Sequence, residues 1–261
     1  MLPALDPAAP APRVSVIMPL FNARPFLAET IASLEAQNWP DLELIAVDDG
    51  SSDGSPELFA KLCPRATLIR QSNRGPSAAR NAAIARATGR YLAFLDADDL
   101  WPAGKLARQV ARLEADPALE AVLGLIQLFT DQLSADGSPL PATREWGQPF
   151  FLFLLGGMVC RRELFSSDQL GGFDEARFPF QGEDTDWFLR AWENARRMEI
   201  LEDVSIFYRR RAGSLTQNPD DTKRGFAGLL LTSIKRRRGP DGKLRPLPDT
   251  LKIPVTVRTR A

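Results

Sequence analysis

Apolar segments of strand length alternate with amphipathic segments of helix length along the first hundred residues, and this alternation constrains the fold most. Proline opens or begins the helical segments, as at Pro25 and Pro76. Repeated β-α-β units of this kind predict a mostly parallel sheet with helices on its faces. The predicted class is therefore α/β, a Rossmann-like domain with a mostly parallel central sheet flanked by helices. Its first strands are predicted at residues 13–19, 42–47, 66–70 and from residue 91 onward.

The composition excludes several kinds of function. Lys+Arg and Asp+Glu both number 33, so no global basic field suggests a nucleic-acid partner. The chain has no histidine, which excludes Ser-His-Asp catalysis and the usual histidine-containing zinc sites. Cys63 and Cys160 lie far apart without metal-ligand spacing, and are expected to be buried free thiols in a reducing cytoplasm. Acid–base chemistry must therefore fall to carboxylates.

One catalytic domain is predicted between a short leader and a C-terminal tail. Residues 1–12 lack the pattern of a signal peptide and are expected to form a flexible leader. The strongest apolar stretch, residues 150–160, is too short to cross a bilayer and is expected to form core or a pocket wall. The catalytic domain is predicted over residues 13–216, and a helix with a basic tail over residues 217–261.

The second half of the catalytic domain has a weaker pattern. Residues 131–148 predict a loop or short hairpin over the site. Residues 119–129 and 199–208 are predicted strands, the latter being the last. Helices are predicted from about Arg161 and from the segment that Gly182 begins.

Three carboxylates follow the strand that starts at Tyr91. They belong to Asp96, Asp98 and Asp99. On a continuing strand Asp96 and Asp98 would face the same way, and two close carboxylates repel unless a cation or proton lies between them. Carboxylate oxygens suit Mg²⁺ or Mn²⁺, which usually also hold substrate phosphates. A metal site is predicted here, with a solvated acidic turn as the alternative.

Polar residues also end the other predicted strands. In a parallel sheet these carboxyl ends lie beside one crevice, so residues far apart in sequence can converge there. The residues concerned are Pro19, Asp48, Asp49, Asp96 and Asp98.

Several ordered motifs connect these positions. They are Val-Ser-Val-Ile-Met-Pro-Leu-Phe-Asn (14–22), Val-Asp-Asp-Gly-Ser-Ser-Asp-Gly-Ser (47–55), Asn-Arg-Gly-Pro-Ser-Ala-Ala-Arg-Asn (73–81), Phe-Leu-Asp-Ala-Asp-Asp (94–99), Gly-Gly-Phe-Asp-Glu (171–175) and Gly-Glu-Asp-Thr-Asp (182–186). Each is weak alone, but their order and spacing are specific. With them the chain resembles glycosyltransferase family 2, inverting nucleotide-sugar-dependent enzymes of the GT-A fold, over about residues 13–216. The resemblance implies transfer of a sugar from a nucleotide-diphosphate donor to an acceptor hydroxyl with inversion.

The resemblance implies a nucleoside site at the first two strand ends. Pro19, Phe21 and Asn22 would lie near the base, and Asp49 would accept a hydrogen bond from a base N–H. The alternative for Asp49 is turn formation. Base binding is favoured because other side chains of the same loop can form the turn. These are Asp48, Ser51, Ser52 and Asp53.

The diphosphate and metal sites follow from the same resemblance. Arg80, on the first turns of a helix, would meet the diphosphate, with a surface ion pair as the alternative. Asp96 and the adjacent Ala97 would approach the nucleotide, and Asp98, with Asp96, would hold a divalent metal. Asp99 is either a further ligand or the cap of the next helix.

Asp184 is the candidate base that takes the proton of the acceptor hydroxyl. Its place at a predicted helix start leads us to expect an ionised carboxylate at neutral pH. An ordinary N-cap is the alternative. The neighbouring Glu183 could exchange roles with it.

One position departs from the family pattern. Many relatives carry a metal-binding histidine after the last strand of the domain, where this chain has Arg211. Arginine cannot ligate a cation at neutral pH, but it can pair bidentately with phosphate. The metal is therefore expected to be Mn²⁺ or Mg²⁺ without being strictly required. A solvated basic loop is the alternative for Arg211.

The expected partners are a nucleotide-diphosphate sugar and a glycan, lipid-linked or protein acceptor, with no nucleic acid. The expected location is cytoplasmic. The basic residues 235–238 could draw the protein to the inner face of an anionic membrane, or could simply suit a helix C-terminus.

Two other functions compete with sugar transfer. The missing histidine favours a catalytically degenerate nucleotide-sugar-binding protein. An apolar strand before Asp-x-Asp also begins metal-dependent phosphohydrolases of the haloacid-dehalogenase type. Against the phosphohydrolase, the Thr or Val that usually follows shortly after the second Asp is missing, and three strands precede the motif.

Overall fold

A computed structural model describes residues 11–135, 137–178, 182–211 and 219–252, without the side chains of 219–227 and 252. The first half alternates strand and helix as predicted. Proline stands at the first or second position of each of its first three helices, where no backbone N–H is required. The elements are β1 (Val14–Leu20), α1 (Arg24–Glu35), β2 (Leu42–Asp48), α2 (Ser55–Leu62), β3 (Thr67–Arg70), α3 (Pro76–Ile84) and β4 (Tyr91–Phe94).

The second half adds antiparallel strands to this parallel core. Its elements are α4 (Lys105–Ala115), β5 (Ala121–Leu133), β6 (Pro139–Trp146), β7 (Val159–Arg161), α5 (Glu183–Glu193), β8 (Met198–Arg209), α6 (Pro219–Arg237) and β9 (Leu251–Lys252). Within the described residues the strands of both halves form one sheet in the order β3-β2-β1-β4-β7-β5-β8-β9, and β6 pairs with β5. Most neighbouring strands pair in parallel, whereas β7 is antiparallel to both β4 and β5.

Alternate side chains of the buried strands supply two separate cores, one on each face of the sheet. Val16 and Met18 of β1 pack with α1 and α4, whose buried residues recur at helical spacing. Ile17 between them packs on the other face with α3 and α5, including Trp187. The helices that carry candidate site residues, α3 and α5, therefore share one face.

Several predicted boundaries change. The strand at Tyr91 ends at Phe94, and the N–H of Asp99 donates to the carbonyl of Asp96 at 3.1 Å, so the carboxylates lie in a turn. The prediction that strand alternation orients Asp96 and Asp98 was therefore wrong. The helix predicted from Arg161 is a single 3₁₀ turn, Arg162–Phe165. Residues 199–208 fall in β8, but β9 follows it in the chain.

Other predictions are confirmed. Most of residues 131–148 belong to the β5–β6 hairpin, which ends at Trp146, and the core contains Leu155, Met158 and Cys160. Cys63 and Cys160 are free thiols, but only Cys160 is buried, so the prediction of burial was wrong for Cys63. Among the helices of the described part of the chain, none combines the length and apolarity needed to cross a bilayer. The predicted leader falls almost wholly outside the described residues, as does the predicted boundary at residue 216, so the division of the chain stays a prediction.

Candidate functional site

The loop between β2 and α2 is tied to the end of β1 by polar side chains. The carboxylate of Asp48 accepts from the N–H of Ser51 at 3.0 Å and forms the turn. Asn22 donates its N–H to the hydroxyl of Ser51 at 3.0 Å, and its amide oxygen accepts from Ser52 N–H at 2.9 Å. Asn22 adopts a left-handed backbone conformation with φ 46°. The two strand ends therefore form one fixed surface, beside which Phe21 is 46% exposed and Pro19 half-buried.

The buried carboxylate of Asp49 organises the next loop along the sheet. Its Oδ1 accepts from the side-chain amide of Gln71 at 2.7 Å and from Arg74 N–H at 2.8 Å, and its Oδ2 accepts from Gly75 N–H at 2.8 Å. Asp48 thus forms the turn, while Asp49 fastens the loop before α3. A carboxylate has about four acceptor positions, so one more donor can be accommodated.

The turn of residues 96–99 is called the acidic turn below. Arg80 is buried between this turn and the start of α5. Its guanidinium pairs with Asp96 at 2.7 Å and with Glu183 at 2.6 Å, and lies 3.7 Å from Oδ1 of Asp184. Burial alone would lower the pKa of Arg80, but these carboxylates raise it well above its ordinary value. The alternative of a surface ion pair is therefore wrong. Its Nε is buried without a hydrogen-bond partner among the residues described.

Asp184 has two carboxylate oxygens in different surroundings. Oδ2 accepts from the N–H of Leu155 at 3.1 Å, whereas Oδ1 is buried and accepts no hydrogen bond in the described structure. Burial raises the pKa of Asp184 to about 7; Arg80 opposes this shift, and Glu183 and Asp96 add to it. The helix dipole therefore does not keep this pKa low, because desolvation outweighs the dipole, and a group with a pKa of about 7 is partly ionised at neutral pH.

Asp184 and its neighbour Glu183 also differ in their surroundings. Gly182 is the N-cap residue of α5, and the helix has no side-chain cap, so the N-cap alternative for Asp184 was wrong. Glu183 is buried and pairs with Arg80. Of the two carboxylates, only that of Asp184 has a fully buried oxygen that accepts no hydrogen bond within the described residues.

Asp98 and Asp99 are held from the end of β8. Asp98 accepts from Nε of Arg211 at 2.8 Å, and Asp99 accepts from the N–H of Arg209 at 2.8 Å. Burial raises the pKa of Asp98 in spite of Arg211, and burial together with Asp98 and Asp96 raises that of Asp99 far above its ordinary value. Helix α4 begins after Gly104, so Asp99 is not its cap.

Arg211 is half-buried, and its guanidinium lies 5.2 Å from the ring centroid of Phe26. It is therefore a fixed side chain on the acidic turn, and the alternative of a solvated loop was wrong. Ala97 is buried between these carboxylates, and its carbonyl accepts from the hydroxyl of Thr30 at 3.0 Å. The turn is thus held from α1 as well as from β8.

The sequence profile described as Glycosyl transferase family 2 matches residues 15–145, half of the chain. The chain belongs to glycosyl transferase family 2. A relative in the same family is the glycosyltransferase EpsJ of Bacillus subtilis, 32% identical over 223 residues, which are 80% of this chain and 64% of EpsJ. The phosphohydrolase alternative is therefore wrong.

Solved structures with the same fold include two complexes. TarS 1-349 of S. aureus with UDP-GlcNAc superposes with a TM-score of 0.61 at 23% identity, covering 85% of this chain and 66% of that one. The mannosyltransferase PcManGT of Pyrobaculum calidifontis, with GDP-Man and Mn²⁺, gives a TM-score of 0.61 at 27% identity and covers 93% and 68%. The predicted GT-A-type α/β fold is confirmed. The chain spans slightly less than two thirds of both EpsJ and the TarS fragment.

Family membership implies a divalent metal. The carboxylates nearest the acidic turn are those of Asp96, Asp98, Asp99, Glu183 and Asp184, and Arg80 and Arg211 form ion pairs with four of them. Asp96 and Asp98 each keep one oxygen outside these ion pairs. Among the described residues, no three Asp, Glu, His or Cys side chains are grouped so that they could hold a metal ion. The open oxygens of Asp96 and Asp98 suit only an ion that takes its other ligands from phosphate and water.

Sequence analysis missed two features of this family member. The first is the 3₁₀ turn Leu155–Gly157, in which the N–H of Leu155 donates to Asp184. The pair of glycines inside an apolar segment was the sequence feature that could have indicated this turn. The second is an ion-pair network behind Arg211 that joins α1, the β5–β6 hairpin and β8. It consists of Glu29, Asp131, Arg144 and Arg209. Nothing in the local sequence pattern pairs residues so far apart.

A cavity of about 380 Å³ lies beside this network. It is lined by residues of α1, the hairpin and the end of β8, among them Phe26, Leu133 and Arg210. Arg211 belongs both to this wall and to the acidic turn. The cavity is therefore next to the candidate site.

Proposed function

We propose that this protein transfers a sugar from a nucleotide-diphosphate donor to an acceptor hydroxyl, with inversion at the anomeric carbon. The observation that carries the proposal is Oδ1 of Asp184, a buried carboxylate oxygen that accepts no hydrogen bond in the described structure. A pKa of about 7 suits a group that must accept a proton at neutral pH. The nucleotide sugars bound by TarS and PcManGT support a donor of this class.

In the proposed reaction the acceptor oxygen attacks the anomeric carbon from the face opposite the diphosphate. Asp184 takes the hydroxyl proton on Oδ1, while Leu155 N–H holds Oδ2. The bond from the anomeric carbon to the diphosphate breaks, and negative charge develops on the leaving group. Arg211 is proposed to pair with that charge, because its planar guanidinium suits phosphate oxygens.

We assign the nucleoside to the first two strand ends. The exposed ring of Phe21, with Pro19 and Asn22 behind it, offers a surface for the base, and Asp49 can accept one further N–H. Asp96 and Ala97 are proposed to approach the ribose and diphosphate. Arg80 is proposed to act on the nucleotide mainly through Asp96, because both ends of its guanidinium already pair with carboxylates.

Asp98 and Asp96 are the residues proposed to hold Mn²⁺ or Mg²⁺. When bound, the ion would neutralise charge on the leaving diphosphate. Arg211 already occupies one oxygen of Asp98, so the proposed dependence on metal is partial.

Peripheral membrane contact and a cytoplasmic location stay proposals, as does the choice of a glycan, lipid-linked or protein acceptor. Arg236 pairs with Asp186 and Glu193 of α5, which leaves Lys235 and Arg238 as the exposed cations of the cluster. At about 1 kcal/mol for each cation near an anionic surface, the expected attraction is small.

The deciding experiment compares Asp184→Asn with the surface control Asp168→Asn. Thermal shifts are measured with UDP, GDP, TDP and CDP, each with Mn²⁺, Mg²⁺ or chelator, and transfer is then assayed with sugars of the nucleotide that binds. Loss of the base should lower transfer by about 10²- to 10⁴-fold while the nucleotide shift is retained. A wild-type protein that binds a nucleotide but transfers nothing would instead support the degenerate binding protein. No shift with any nucleotide would remove the donor assignment.

A further inference from the structure

Three consecutive backbone carbonyls after Leu155 each accept a hydrogen bond from a buried side chain. Nε1 of Trp101 donates to the carbonyl of Gly156 at 3.1 Å. Nε2 of Gln109 donates to the carbonyl of Gly157 at 2.8 Å, and Nζ of Lys105 donates to that of Met158 at 3.3 Å. The three donors come from one stretch of chain, the end of the acidic turn and the start of α4.

The donors are themselves fixed. Lys105 also donates to Oε1 of Gln109 at 2.8 Å, and its ammonium lies 4.4 Å from the ring centroid of Trp101. Gln109 makes further bonds to the carbonyl of Val122 and the hydroxyl of Ser205. Lys105 is fully buried, burial lowers its pKa well below the ordinary value, and no carboxylate in the described part of the chain pairs with it. Burying such a group is costly unless its hydrogen bonds are satisfied, and here the partners lie on the segment after Leu155.

The opposite side of the turn is closed by packing. A Cβ added at Gly156 would lie 2.1 Å from Cδ1 of Ile206 in β8, so the backbone approaches that strand as closely as glycine permits. The turn is therefore held between β8 and the three donors. Its first N–H, from Leu155, is the donor to Oδ2 of Asp184.

We propose that Trp101, Lys105 and Gln109 are positioning residues for the transfer reaction. They fix the Leu155–Gly157 turn, so that the Leu155 N–H holds Oδ2 of Asp184 and leaves Oδ1 for the acceptor proton. None of them contacts the substrate in this assignment, which rests on the proposed role of Asp184. Trp101 also follows Asp98 and Asp99 closely in sequence, so one segment connects the acidic turn to the base.

The physical basis is the alignment that proton transfer requires. A base displaced by about 1 Å can lose as much as 10²-fold in rate. The charged groups that face Asp184 are Arg80, Glu183 and Asp96. If the Leu155 N–H moved away while Arg80 stayed paired with Asp96 and Glu183, the carboxylate would lose a bond that favours its ionised form. Its pKa would then rise further.

The test uses Trp101→Phe, which removes one N–H and keeps a ring in the core. Trp39→Phe is the matched control, because Trp39 is also buried and donates to a carbonyl, that of Pro12, at 3.0 Å. Trp101→Phe should lower kcat about tenfold, leave KM and the nucleotide thermal shift unchanged, and move the acidic limb of the kcat profile to higher pH. Trp39→Phe should change neither kcat nor the limb. Equal kcat values and pH midpoints for both variants would overturn the proposal.

A second measurement does not depend on transfer. Carboxyl ¹³C NMR of aspartate-labelled protein, with Asp184→Asn for assignment, gives the titration midpoint of Asp184 directly. Trp101→Phe and Lys105→Met should both raise this midpoint relative to Trp39→Phe. A raised midpoint in a protein that transfers no sugar would support the positioning and overturn only the proposed function. An unchanged midpoint in both variants would overturn the positioning itself.

Discussion

The two ends of the candidate site differ in how completely their polar groups are satisfied. At the end proposed for the nucleoside, Asp48, Asp49 and Asn22 hold backbone N–H groups of the surrounding loops. At the end that carries Asp184, Oδ1 of Asp184 and Nε of Arg80 are buried without hydrogen-bond partners in the described structure. Unsatisfied buried groups cost stability and are found where a ligand or reaction uses them. The first end is therefore built to hold a shape, and the second retains capacity for chemistry.

The largest effect on this comparison is expected from Arg80→Met. The variant leaves Asp96, Glu183 and Asp184 close together without their shared cation. Breaking a buried ion pair in this way should lower the free energy of unfolding by about 3–5 kcal/mol. Urea denaturation of wild type and variant at neutral pH measures this loss of free energy.

Arg74→Met is the matched control for Arg80→Met. Arg74 pairs with Glu175 at 2.7 Å, but the pair is exposed and should contribute no more than about 1 kcal/mol. If both variants lost a similar free energy of unfolding, the end of the site that carries Asp184 would not be the one that depends on a buried ion pair.

The titration of Asp184 should make both stability and transfer depend on pH, which gives a second test of the difference between the two ends. Its pKa in the folded protein is raised to about 7 from an ordinary value of 3.8, so the contribution to folding is complete below about pH 4 and is lost as pH rises through 7. Transfer should follow the opposite course and increase through about pH 7, because the base must be ionised. Wild type should thus lose stability between pH 4 and 7 relative to Asp184→Asn, by on the order of a few kcal/mol.

Chemical denaturation of both proteins across that range measures the difference. An Asp184→Asn protein whose stability ran parallel to wild type would show that another group titrates there. The kcat profile then has to be assigned to that group.

A smaller effect is expected from Arg211→His, which introduces the histidine that the family pattern leads us to expect at this position. The proposed phosphate contact is lost, and an imidazole that can ligate a cation takes its place. Nucleotide binding should weaken by about 1.5–3 kcal/mol in chelator and recover with Mn²⁺. Isothermal titration with and without metal tests this. Equal affinity of wild type and variant in chelator would exclude Arg211 from the diphosphate site.

Much of the fold was predictable because its signals are local. Apolar runs, proline at helix starts and the spacing of buried residues in α1 give nearly correct boundaries for the first half of the chain. The acidic turn was less predictable, because the strand stops at Phe94 and the turn geometry depends on contacts from β8 and α1. The insertion of β7 between β4 and β5 depends on long-range pairing with no local signature.

By itself, the sequence determined the family, the α/β class and the set of carboxylates that could carry the chemistry, because these depend on residue types in a fixed order. Only the tertiary structure distinguished Asp184 from Glu183, placed Arg80 in the interior and set Arg211 against Asp98. It also produced the turn that holds Asp184. The reason is physical: burial and the approach of distant charges decide the state of a carboxylate, and neither is a property of its neighbours in sequence.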